Sequence, residues 1–249
     1  MRKSQNENNS FFKYPSTPHL YALDNRHFRD DKILSVTERE AFLAHKIIVE
    51  EKVDGANLGI SFDSKAEIVL QNRGSCIALP GVGQWKHLEP WVALRKDVLF
   101  DVLEDKLVLF GEWCYAKHSV FYDNLPDWFL GFDIFDKLSQ RFYSLKRRND
   151  VLSALTISPV PIISIGKFTL EEIVNMIGES RLGSSEMEGV FLRYDTGKWC
   201  DNRAKLVHPC FMEGIEEHWG KRTFTPNKIH YFTGNPSYSN HNLNHVPTQ

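Results

Sequence analysis

Three β-rich runs stand almost back to back in the chain: KIIVEE (Lys46 to Glu51), NLGISF (Asn57 to Phe62) and EIVLQN (Glu67 to Asn72). Their β-branched and aromatic residues suit a pleated, half-buried surface, and the residues between them favour turns, so the spacing predicts antiparallel strands. KLVLFGEW, WFLGFDIF, EGVFLR and AKLV add further strand-like runs downstream. Helical spacing appears in WVALRKDVLFDVLED, between Lys146 and Leu155, and in TLEEIVNMIGE, where Thr169 suits an N-cap and Gly178 a terminator. Strands outnumber helices and do not alternate with them. The expected class is α+β, antiparallel sheets flanked by helices, rather than a doubly wound parallel sheet.

No repeat and no Gly/Ser linker divides the chain, so one domain is expected over residues 11–232, with flexible, polar tails at 1–10 and 233–249. A formal charge of −2 provides no global basic field, and contact with nucleic acid must come from local clusters. Cys76, Cys114, Cys200 and Cys210 lack the paired spacing of a zinc site or disulfide scaffold. With no apolar leader and no membrane-length apolar run, the reading is a soluble, intracellular protein of cytoplasm or nucleus.

Lys52 ends the first strand and is followed by the turn Asp54-Gly55. Alone, it reads as a solvated edge-strand lysine. It also reads as a nucleophile, because an amine at the mouth of a partly buried site loses its proton when burial and nearby cations lower its pKa. Arg203 and Lys205, alternate residues of one strand, point to one face of it. Glu112 interrupts LVLFGEW and Glu188 precedes a strongly apolar strand. A carboxylate among such neighbours is costly unless it meets a metal or a cation, if only in a salt bridge at a strand end.

Five segments then occur in a fixed order: Lys52-Val-Asp-Gly55, Phe110-Gly-Glu-Trp113, Phe129-Leu-Gly-Phe-Asp-Ile-Phe135, Glu188-Gly-Val-Phe-Leu-Arg193 and Arg203-Ala-Lys-Leu-Val207. They resemble motifs I, III, IIIa, IV and V of the covalent nucleotidyltransferase superfamily of ATP-dependent ligases and RNA capping enzymes. Each is weak alone, and the ordered set is specific. Asn57 and the tract FKYPST resemble the RNA ligase 2 branch, while Asp54 is commoner in DNA ligases and capping enzymes. The resemblance implies an ATP-grasp-like ligase adenylation domain of nucleotidyltransferase type.

It also implies roles. Lys52 would attack the α-phosphorus of ATP and carry AMP, with Arg203 and Lys205 holding the α-phosphate and depressing the Lys52 pKa. Glu112 would contact the ribose. Glu188 would sit near a catalytic magnesium ion, with manganese as a substitute, through water. Phe132 would stack on adenine and Val190 or its neighbourhood would close the opposite face, although by itself Phe132 reads as a core residue. Arg73 would meet the ribose or a nucleic-acid phosphate, Asn57 the phosphates or the 5′ end, and Glu51 the base.

The activity so implied is ATP-dependent sealing of RNA 5′-phosphate and 3′-hydroxyl ends through lysyl-AMP, as in RNA repair. Whether an end-healing kinase-phosphatase partner acts first stays open. Lys221 and Arg222 beside Trp219 and Phe224 would add backbone contacts and stacking, or form a solvated turn. A DNA ligase or capping guanylyltransferase is the first alternative; the roughly forty residues after Val207 are too few for the five-stranded oligonucleotide-binding barrel those enzymes generally carry there. A non-catalytic nucleotide- or RNA-end-binding module is the second, and retention of Lys52 and the motif V cations argues against it.

Overall fold

Strand alternation and turn chemistry build two antiparallel sheets, in agreement with the expected α+β class. The computed structural model describes residues 11–23, 32–212 and 225–230. Both expected tails, and Trp219, Lys221, Arg222 and Phe224, lie outside the described residues. In chain order the elements are α1 (Val36–Leu43), β1 (Ile47–Glu51), β2 (Ala56–Phe62), β3 (Ile68–Gln71), α2 (Leu88–Ala93), α3 (Lys96–Leu103), β4 (Leu107–Trp113), β5 (Phe129–Asp136), β6 (Arg141–Phe142), α4 (Leu145–Ala154), β7 (Ile162–Gly166), α5 (Leu170–Val174), β8 (Gly189–Thr196), β9 (Trp199–Val207) and α6 (Pro209–Met212). One sheet runs β7-β1-β8-β9 and the other β3-β2-β4-β5-β6. Every pairing is antiparallel. No helix among the described residues is long and apolar enough to cross a membrane.

Each sheet has its own core. Leu58, Ile60 and Phe62 of β2 pack with Leu99 and Leu103 of α3 and Leu152 of α4. On the other sheet, Ile47, Val49, Val190 and Leu192 pack with Phe42 of α1 and Ile173 of α5. The helices depart from the sequence pattern in instructive ways. WVALRKDVLFDVLED breaks into α2 and α3 at Arg95, whose backbone (φ −126°, ψ −5°) leaves the helical region while its guanidinium bonds Asp127 and the Trp91 carbonyl. Thr169 does cap α5, reciprocally with Glu172. The helix nevertheless stops at Asn175, short of Gly178, because the Met176 and Ile177 N–H groups bond back to Ile173 and Val174 in a tighter turn.

The sheets meet across a network of buried charge. Arg148 donates to Glu50 at 2.7 Å and to the Phe132 carbonyl at 2.8 Å, and Arg193 donates to Asp133 at 2.9 Å. None of these four charged side chains is exposed at all. Arg203 closes the network at 2.7 Å from Asp133, and Tyr14 donates its hydroxyl to the same carboxylate at 2.6 Å. Burial opposes ionisation of Asp133, but Arg193, Arg203 and the Tyr14 hydrogen bond outweigh it and hold the carboxyl below its usual range.

Removing one member of a buried ion pair leaves the other charged and desolvated. Arg193→Leu should therefore cost about 3–5 kcal/mol in equilibrium urea unfolding. Lys146→Ala, which breaks an exposed helix pair with Asp150, should leave the midpoint essentially unchanged.

Candidate active site

Lys52 leaves β1 held by its own backbone: its N–H donates to the Gly189 carbonyl at 3.0 Å. Gly189 must be glycine, because its φ is +159° and a Cβ there would lie 2.1 Å from the Leu206 carbonyl oxygen. That close approach of β8 to β9 sets Glu188 opposite the lysine, and Lys52 Nζ donates to Glu188 Oε2. Both side chains are largely buried at the edge of a cleft between the sheets, 24% and 16% exposed. Lys205, Glu112, Arg73 and Phe132 also line this cleft. Pro18 and Leu20 hydrogen-bond the backbone of Lys205 from both sides, which fixes its place on β9. The Phe132 ring meets Tyr14 edge-on at 5.4 Å.

The electrostatics correct one expectation. Burial alone would lower the Lys52 pKa, but Glu188, Asp54 and Glu112 raise it above the ordinary lysine value. Arg203 was expected to act in the opposite sense. It shares a strand face with Lys205, yet its guanidinium is committed to Asp133 and Tyr14 and lies 3.8 Å over Phe142. Its charge is neutralised in the network between the sheets instead of standing beside the amine.

Burial pushes Glu188 above the usual carboxylate range against the pull of Lys52. Glu112 is pushed up to about 8 by burial, although Lys52 and Arg73 oppose it. Its Oε2 is buried without a hydrogen-bond partner, as are both amide atoms of Asn57, the residue registered against it across β2 and β4. Of the two residues only Glu112 lines the cleft. Among the described residues no group of three or more His, Cys, Asp or Glu side chains stands close enough to hold a metal ion by itself.

Two further expectations concern the walls of the cleft. Val190 or its neighbourhood was expected to close the face opposite Phe132: Val190 itself is fully buried in the core of its own sheet, and its neighbour Phe191 lines the cleft with Val160. On β8 the alternation of strand side chains turns Val190 to the core of its sheet and Phe191 to the cleft. Glu51 lines it, but its carboxylate accepts from Ser180 Oγ at 2.5 Å and the Arg181 N–H at 2.9 Å. Glu50 keeps Oε2 without a partner in the same wall. Arg73 stands exposed at the rim. Tyr14, Glu50, Asp133, Arg148 and Arg193 were not singled out from the sequence; for Tyr14 the FKYPST tract was the available signal.

A family model described as RNA ligase matches residues 45–207. No curated protein is significantly similar in sequence. Among solved structures, a lysine-to-alanine mutant of Naegleria gruberi RNA ligase with ATP and Mn matches with TM-score 0.61 at 17% identity, over 83% of this chain and 59% of that one. An arginine-to-alanine mutant with ATP and Mn matches with TM-score 0.59 at 18% identity, over 83% and 59%. Naegleria gruberi RNA ligase with PPi matches with TM-score 0.54 at 20% identity, over 68% and 51%. At this identity the likeness establishes the fold. The chain spans between about half and three fifths of the length of these structures.

The Glu112 carboxyl should titrate near pH 8 in the free protein, followed by carbon-13 NMR. As pH rises from about 4.5 the unfolded chain ionises this group first, while the folded chain keeps its proton until about 8. Wild type should therefore lose stability relative to Glu112→Gln across that window and no further above it. A constant difference across the window would contradict the assignment.

Proposed function

This chain belongs to the RNA ligase family, and we propose that it is an ATP-dependent ligase that joins RNA 5′-phosphate and 3′-hydroxyl ends through lysyl-AMP on Lys52. The observation that carries this reading is the Lys52–Glu188 pair, an amine bonded to a carboxylate whose proton affinity burial has raised, at the edge of a cleft lined by Phe132, Glu112 and Lys205. Adenine lies against Phe132 and the α-phosphate near Lys205. Lys52 Nζ attacks the α-phosphorus as its proton passes to Glu188. The bond to the β-phosphate oxygen breaks, and pyrophosphate leaves with the electron pair.

In the second step an oxygen of the RNA 5′-phosphate attacks the phosphorus of the adenylyl group, and the P–N bond breaks back to the lysine amine. In the third, the 3′-hydroxyl attacks the activated 5′-phosphorus and AMP leaves. Ends lacking either the 5′-phosphate or the 3′-hydroxyl have no reacting group for these steps and need prior healing by a kinase-phosphatase partner.

The two Naegleria gruberi mutant structures are complexes with ATP and Mn, which supports the same nucleotide and a divalent ion here. Glu188 would sit near a hydrated magnesium ion, through water and with manganese as a substitute, and Glu112 would contact the ribose. Such an ion neutralises phosphate charge.

Incubation with magnesium and α-labelled ATP should leave label on the denatured wild-type protein and none on Lys52→Ala. The labelled protein should then seal a nicked RNA duplex and release AMP. Label from GTP instead would favour capping chemistry, sealing of DNA alone would make it a DNA ligase, and no label from either nucleotide would leave a binding module.

A further inference from the structure

The turn that carries Lys52 is fixed from one side by β1. On the other side it depends on a loop that the core of the cleft does not hold. Asp54 accepts the Ser119 N–H at 2.5 Å and the Val120 N–H at 2.9 Å, and its own N–H donates to the Tyr122 hydroxyl at 2.8 Å. These bonds consume one oxygen of the Asp54 carboxylate in tethering residues 119–122 to the turn. Whatever positions that loop therefore positions the residue two places after the nucleophile.

Residues 225–230, well past the last strand, do this. The Lys117 N–H donates to the Thr225 carbonyl and the Asn227 N–H to the Tyr115 carbonyl; beyond them, Lys228 donates to the Tyr122 carbonyl and His230 to the Leu125 carbonyl, all at 2.8–2.9 Å. Asn227 is the centre of this contact. Only 3% exposed, its side chain accepts the Tyr122 N–H at 2.9 Å and donates to the Cys114 carbonyl at 2.8 Å, so a single amide closes the loop between those two residues. Ile229 packs beside the cluster of Val53, Tyr122, Leu125 and Val160, of which Val53 adjoins the nucleophile.

We propose that residues 225–230 form a strap that positions Lys52, with Asn227 as its key positioning residue acting through Tyr122 and Asp54. The strap lies outside the matched stretch 45–207, so the site is completed by chain beyond it. The proposal rests on the lysyl-AMP reading for its effect on rate. Asn227 touches no cleft residue in the hydrogen bonds above, and its loss should misalign the amine without removing a nucleotide contact.

The test is single-turnover label transfer from α-labelled ATP at varied ATP concentration, with wild type, Asn227→Ala and Tyr122→Phe. The latter removes only the hydroxyl that accepts the Asp54 N–H and keeps the ring in its core. Both variants should lower the limiting rate about tenfold with half-saturating ATP unchanged. Amide hydrogen exchange should be faster in Asn227→Ala at Ser119 and Val120, neither of which Asn227 touches. Wild-type rates in both variants, a change confined to half-saturating ATP, or unchanged exchange at Ser119 and Val120 would overturn the proposal. If wild type itself takes no label, the lysyl-AMP reading fails, and the exchange rates still decide whether the strap holds the loop.

Discussion

Two guanidinium groups with no exposed surface, Arg148 from α4 and Arg193 from β8, converge on the main-chain carbonyl of Phe132, at 2.8 and 3.4 Å. Their countercharges come from both sheets, Glu50 on β1 and Asp133 on β5. Burying so much charge is expensive, and such a network stands only when every partner is in place. Its consequence is geometric. Because Glu50 lies on the strand that ends one residue before Lys52, and Asp133 follows Phe132, the same bonds that dock the sheets fix the aromatic ring and the amine on facing walls of one cleft.

The cleft is rich in carboxylates that the protein itself does not fully satisfy. Lys52 is held in its charged form by Glu188 and Asp54, while Glu112 keeps a proton into the neutral range. An amine so held is nucleophilic only once it gives up a proton, and Glu188 is its hydrogen-bonded neighbour. Unpartnered oxygens on Glu50 and Glu112 and the unpartnered amide of Asn57 cost stability in the free protein.

Much of this arrangement was legible in the sequence because it is local. The strand runs carried their own β signature, and Lys52, Glu112, Phe132, Arg73 and Lys205 do gather around one cleft with Glu188 bonded across to the lysine. What was not legible depends on distant partners or on strand parity. Period two put Arg203 and Lys205 on one face but did not reveal Asp133, seventy positions away in sequence, which takes the Arg203 guanidinium. The choice between Val190 and Phe191 turned on a single step along β8, and one step reverses the face. Arg148 sits in an unremarkable basic helix start, and only the tertiary fold supplies Glu50 as its partner. The capping box of α1, Ser35 with Glu38, was written in the sequence and passed over; it belongs to a short helix with little amphipathic pattern.

The central claim is that Lys52 is the atom-bearing nucleophile of this cleft. Its most direct test is peptide mapping of the protein after incubation with ATP and magnesium. The account predicts a tryptic peptide Ile47–Lys65, uncut at Lys52 and carrying a single AMP on that lysine through an acid-labile P–N bond. AMP found on another residue, or this peptide cut at Lys52 and unmodified throughout while the protein binds ATP, would contradict it.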